Sequence, residues 1–167
     1  MQDLWPNNIG ENTINSPVSI MREQAQLLGQ KTKNLVEAEV SIGSPTSNKF
    51  VYYFYIVAPT LHDYHFRLFT VEHDIDIYPL TIYMDEALGE ELGAGTPKTA
   101  ASALHRQTNA AIASAGFAQS SIQYSITVSS EDEFIDTLRK VLNSRRSQQV
   151  IRSLLSQVNT DYTPIFM

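Results

Sequence analysis

The chain has 167 residues, with 43% hydrophobic, 18% charged, no cysteine and a formal net charge of -6. Such a length suits one domain with a sizeable core, and the composition excludes disordered, collagen-like and disulfide-built classes. Without cysteine there is no thiolate metal site and no thiol nucleophile, and the acidic balance argues against nucleic acid and anionic membranes as partners.

In residues 1–15 neither a basic region nor an apolar stretch reads as a secretory leader, so they are taken as an N-terminal arm. No apolar run approaches the ~18–20 residues of a spanning helix, and a cytoplasmic location is the expectation. Ser16 before Pro17 is a helix-start pair. Val18, Met21, Ala25 and Leu28 recur at helical spacing, which predicts a helix over Pro17 to Leu28, ending at Gly29.

Alternation with period two follows. Strands are predicted over Leu35 to Ile42, Phe50 to Ala58, Tyr64 to Val71 and Ile77 to Met84, with a fifth over Ile122 to Val128. Pro79 offers no N–H, which places the fourth strand at a sheet edge or beside a bulge. Short connections favour antiparallel pairing. Between Asp85 and Ser121 the pattern dissolves into acidic, Gly/Pro-broken and alanine-rich stretches, read as a variable, weakly anchored insertion. Within it, Lys98 to Ala115 has helix propensity and a thin apolar face at Leu104 and Ile112.

Ser130 and Glu133 form a capping box, opening a helix whose buried stripe is Phe134, Leu138, Val141 and Leu142. Asn143-Ser144 interrupts it, and Val150, Ile151, Leu154, Leu155 and Val158 continue on a second helix. The expected architecture is a single α+β domain. Its four- to five-stranded, mainly antiparallel sheet carries the N-terminal helix and the two C-terminal helices on one face.

Register follows from placing even-numbered residues inward. Val36, Ala38, Val40, Ile42, Tyr52, Phe54, Ile56, Phe66, Leu68, Leu80 and Ile82 then line the core. The opposite face receives Glu37, Glu39, Tyr53, Tyr55, His65, Arg67, Phe69, Thr81 and Tyr83. Glu37, Tyr55, Arg67 and Thr81 are expected in one cross-strand row, with Leu35, Val57, His65 and Tyr83 in the next. This face is too aromatic to be merely solvated and too polar to be core. It is either covered by residues 85–121, or a protein-binding or self-association face of tyrosine and arginine, or a small-ligand site.

Other constellations carry less. His62 and His65 stand three apart, on opposite faces of any strand, and do not suggest a shared metal. Glu72 to Asp76 clusters oxygen ligands without the glycine and terminal glutamate of a calcium loop. Seven acidic residues and no Lys or Arg lie between Glu72 and Glu91, an acidic rim that is either solvated or attractive to a basic partner. Gly93 to Thr99 lacks the glycine that a phosphate loop sets before Lys-Thr. The C-terminal basics Arg139, Lys140, Arg145, Arg146 and Arg152 suit helix C-termini, or form a small patch for phosphate or for another subunit's acidic rim. Neither a catalytic set nor a cofactor or metal motif is present, so neither cofactor nor metal is expected.

The opening helix, Ser16 to Ala25, is similar to those of small bacterial proteins. As an acidic α+β chain with tyrosine on its sheet, the protein resembles secretion chaperones and immunity proteins in composition and element order. That resemblance implies a non-enzymatic protein-interaction module of regulatory, immunity or chaperone-like kind. The residues themselves support two readings: protein binding through Glu37, Tyr53, Tyr55, His65, Arg67, Phe69, Thr81 and Tyr83, or a small anionic ligand or weak hydrolysis handled by Glu37, Tyr55, His65 and Arg67.

Overall fold

The computed structural model describes residues 1–44, 48–95 and 123–161. The first helix, α1, runs Pro17–Lys31, with Ser16 accepting from the Ser19 N–H at its cap. It passes through Gly29 rather than stopping there. Gly29 is buried, and an added Cβ would lie 3.0 Å from the Asn34 side chain. The helix ends at Thr32, whose hydroxyl bonds to Leu28 O and Val36 O. Lys33 and Asn34 then take positive φ to turn the chain into the sheet.

Strands β1 (Glu37–Ile42), β2 (Phe50–Ala58), β3 (Tyr64–His73), β4 (Leu80–Met84) and β5 (Tyr124–Val128) form one antiparallel sheet in sequential order. The fold is α+β, as expected. Because order in space follows order in the chain, β4 sits between β3 and β5 and is not an edge. Pro79 lies one residue before β4, where no ladder N–H is required of it, and Ile77 has a φ of 66° that no strand residue adopts.

Inward parity is as expected in β2 and β4, where Tyr52, Phe54, Ile56, Leu80 and Ile82 are buried. It fails in β3. Phe54 faces Phe69 while Tyr55 faces Arg67, so β3 carries a bulge with Leu68 and Phe69 both buried, at 2% exposure each. Beyond the bulge the odd residues Val71 and His73 point inward. Phe69 is therefore a core residue, its ring stacked 4.9 Å from that of Phe54, and not part of the outer face. The bulge also divides the Glu72 to Asp76 cluster. Glu72 points outward to Lys49, 2.9 Å away, while His73 is buried between the rings of Phe50 and Tyr52 at 5.3 and 5.6 Å.

Part of the region expected to be weakly anchored is built into the body. Helix α2 (Glu86–Leu92) is capped by Asp85, and Leu88 is fully buried. Asp85 pairs with Arg146 at 3.0 Å, and Glu91 accepts from the Arg145 and Arg146 N–H groups. Sequence periodicity missed α2 because a seven-residue helix shows too few turns to display it. Residues 96–122, with Lys98 to Ala115, Leu104 and Ile112, lie outside the described residues.

Helices α3 (Glu131–Leu142) and α4 (Arg145–Asp161) meet at Asn143-Ser144. The capping box is present: Ser130 accepts from Glu133 N, and Glu133 accepts from Ser129 N. Phe134, Leu138 and Val141 of α3, with Val150, Leu154 and Val158 of α4 and Met21 and Ala25 of α1, join the inner sheet residues in one hydrophobic cluster. The helices thus cover one face of the sheet.

Replacing Phe69 tests the bulge. F69A, by removing a buried ring, lowers unfolding free energy by ~3–5 kcal/mol, whereas at an exposed outer position the loss stays within ~0.5 kcal/mol; denaturant titration separates the two. A second test concerns the α2–β5 contact. An added Cβ at Gly89 would sit 2.3 Å from Tyr124 Cβ and Cγ, so G89A destabilises by at least ~1–3 kcal/mol in the same assay.

Candidate functional site: the outer sheet face

Opposite the helices, β1, β2 and β3 present Glu37, Glu39, Ser41, Tyr53, Tyr55, His65 and Arg67. The rows differ from the expected ones by one residue pair. Glu39, Tyr55 and Arg67 stand abreast, and Glu37 lies beside Val57 and His65. Side-chain parity is the same in either alignment, so hydrophobic pattern cannot distinguish them. The bulge moves β4 further along. Tyr83 falls in a row with Thr70, Tyr53 and Ser41, and Thr81 pairs with Glu72. Thr81 is therefore separated from Arg67.

Four of the sequence-selected residues gather closely. The Tyr53 and Tyr55 rings are 6.2 Å apart, and Tyr55 meets the His65 ring edge-on at 5.7 Å. Arg67 places its guanidinium 5.6 Å over the Tyr53 ring, a cation–π contact. Tyr53 is also shielded by Gly43, where an added Cβ would lie 2.9 Å from its ring. None of these aromatics belongs to the hydrophobic core. Tyr53 and Tyr55 remain half-buried, held by neighbours on their own face, while His65 is exposed.

Sequence reasoning chose Glu37 as the acidic partner, but Glu39 takes that place. Its Oε2 is 3.3 Å from His65 Nε2, and its Oε1 accepts from the Ser41 hydroxyl. The other ring nitrogen, His65 Nδ1, lies 2.5 Å from the Asp63 carbonyl oxygen. With both nitrogens facing acceptors, the protonated ring is favoured; the Asp63 carbonyl is the larger cause and Glu39 the lesser. The histidine pKa is raised as a result. Toward β4, burial pushes the Tyr83 hydroxyl pKa up, reinforced by the Glu72 carboxylate.

Arg67 is exposed, and among the described residues no carboxylate pairs with it. A guanidinium held over a tyrosine with its N–H fork free is suited to a planar carboxylate arriving from outside. The acidic rim, by contrast, is used internally in part: three of its seven carboxylates, Glu72, Asp85 and Glu91, have partners within the chain. Arg146 is likewise engaged, by Asp85 and over the Phe66 ring at 5.2 Å.

Two cavities open elsewhere. One of about 510 Å³ lies beside Tyr64, Phe66 and Arg146, and another of about 410 Å³ is floored by Phe54, Ile56 and Leu68. Neither takes a lining residue from the outer face. Among the described residues no three His, Asp or Glu side chains converge on a metal position, and no helix is long and apolar enough to cross a membrane.

Comparison with protein-family models, curated proteins and solved structures gives no match.

The His65 environment has a measurable signature. Its raised pKa means that the native state binds the proton more tightly than the unfolded chain. The resulting stabilisation is complete below the unfolded value of ~6.5 and disappears as pH rises through the folded value. An NMR titration of the His65 ring should give a midpoint above ~6.5. E39Q lowers that midpoint only in part, because the Asp63 carbonyl remains; an unshifted midpoint in the parent protein contradicts the geometry.

Proposed function

We propose that the protein is a non-enzymatic interaction module that binds another protein through the outer face of its sheet. The observation that carries this reading is the Arg67 guanidinium, without a carboxylate partner among the described residues, stacked on Tyr53 and flanked by Tyr55, on a face outside the hydrophobic core. Tyrosine and arginine dominate binding hot spots because each offers a broad apolar surface with a directional polar end. The partner surface complementary to this one presents a carboxylate to Arg67 and an apolar rim to the tyrosines.

The alternative of a small-ligand or hydrolytic site has less support. His65 and Glu39 form a pair that could accept a proton, but neither described cavity encloses it. Without a water-excluding pocket, such a pair lacks the dry surroundings that strengthen electrostatic catalysis. Regulatory, immunity and chaperone-like roles all remain versions of the binding reading, and the fold favours none of them.

A photo-crosslinking residue at position 55, compared with one at the helical position Arg152, tests the proposal in cells. Partner adducts should form from position 55 and not from position 152. With the captured partner purified, R67E should weaken binding at least ~30-fold, or ~2 kcal/mol, because the reversal sets a carboxylate against the partner's carboxylate. Because Arg67 is exposed, R67E should leave stability within ~0.5 kcal/mol of the parent. Equal adducts from both positions, or unchanged affinity in R67E, would refute binding through this face.

A further inference from the structure

Residues 1–15 form an arm with local turns and a single polar tie at its root. Asp3 accepts from Trp5 N, Asn12 accepts from Ile14 N, and Asn15 Nδ2 donates to Glu131 Oε1 at the start of α3. Beyond that root Leu4, Trp5, Ile9 and Ile14 are all exposed, Leu4 at 83% and Trp5 at 72%. Single exposed apolar side chains are ordinary; four large ones within residues 4–14, none joined to the core, are a concentrated unburied surface. The arm carries Asp3 and Glu11 and no Lys or Arg.

A receiving surface lies on the helical side. The 410 Å³ groove has Ile20, Leu27 and Leu28 of α1 on one wall, and Ile135 and Leu142 of α3 on the other. Leu27 is 42% exposed. Lys31 and Arg139 are the charged residues of its lining, both cationic, and no Asp or Glu contributes. Arg139 Nη1 donates to Asp136, an exposed pair that contributes little and leaves other guanidinium N–H groups free. The groove is apolar and cationic; the arm is apolar and acidic.

We propose that the arm of one copy docks in the α1–α3 groove of a second copy, forming an arm-exchanged dimer. Leu4 and Trp5 fill the space between the helix walls, and Asp3 meets Lys31 or Arg139. The arm is long enough to lie along the groove. Ten residues lie between Trp5 and Ser16, and the eleven steps span up to about 36 Å when extended, whereas the groove from Ile20 to Lys31 covers about 17 Å of helix. Among the described residues of one chain both surfaces stand open, and reciprocal exchange closes both at once, which caps the assembly at two copies.

Trp5 is the sole tryptophan, so its fluorescence reports the arm directly. On raising protein concentration, its emission should move from a water-exposed to an apolar position in step with a doubling of mass in sedimentation. L27D in the groove and L4D in the arm should each raise the dimer dissociation constant about tenfold or more, with circular dichroism unchanged because both sites are exposed. R67E should leave the Trp5 shift intact, so this inference and the outer-face reading fail separately. The proposal is overturned by water-like Trp5 emission up to high micromolar concentration, or by a shifted emission in a strict monomer. A doubling of mass that R67E abolishes while L27D and L4D do not also overturns it, assigning the dimer to the outer sheet.

Discussion

Between Arg67 and Phe69, β3 contains one residue more than β2 can pair with. Without that bulge, the strand would continue the parity that sets Phe66 and Leu68 inward, and Thr70 and Glu72 would follow them. A carboxylate would then enter the core, where it has no partner and its desolvation is costly. The bulge instead directs Phe69, Val71 and His73 inward and returns Glu72 to the surface, where Lys49 meets it. Both sides of the sheet depend on this. The interior gains the Phe54–Phe69 stack, and the exterior keeps Arg67 beside Tyr55 and over Tyr53.

The acidic stretch around α2 obeys a different constraint. A helix of seven residues gains little from its own hydrogen bonds, so tertiary contacts must hold it. Leu88 supplies apolar burial, Gly89 lets α2 lie against Tyr124, and the Asp85 and Glu91 carboxylates meet the start of α4. Glu91 is placed where the first N–H groups of α4 lack intrahelical acceptors, so its charge serves as a cap supplied by another element. Charges that look like a rim in the sequence are therefore partly structural.

Apart from α2, element type and order were legible among the described residues because they rest on local signals: Ser16-Pro17, the Ser130–Glu133 box, and alternation in β2 and β4. The helical side was legible too, since Phe134, Leu138, Val141, Val150, Leu154 and Val158 repeat at helical spacing and are all buried. Apart from Phe69, the outer face was legible in membership but not in alignment. Whether Tyr55 meets Glu37 or Glu39 is a slip of two residues, which changes no side chain's face. The bulge did leave a trace, because Leu68 and Phe69 are adjacent and the apolar positions shift from even to odd after them. Uniform alternation through β3 hides it. Long-range pairing between Asp85 or Glu91 and α4 carries no local signal at all.

A two-layer arrangement leaves the outer sheet facing water unless something covers it, and its chemistry reconciles a stable free chain with the proposed binding role. Leucine or isoleucine at positions 53 and 55 would expose apolar area with no polar end to solvate. Tyrosine buries its ring edge against neighbours while its hydroxyl stays hydrated, so the free state tolerates it. Covering the same rings still removes apolar area from water, at ~25 cal/mol per Å². Arg67 adds direction more than strength: its charge is solvated when free, and a carboxylate gains over water chiefly where the flanking rings exclude solvent. In the binding reading proposed here, the tyrosines would therefore supply most of the affinity and the arginine would select the partner.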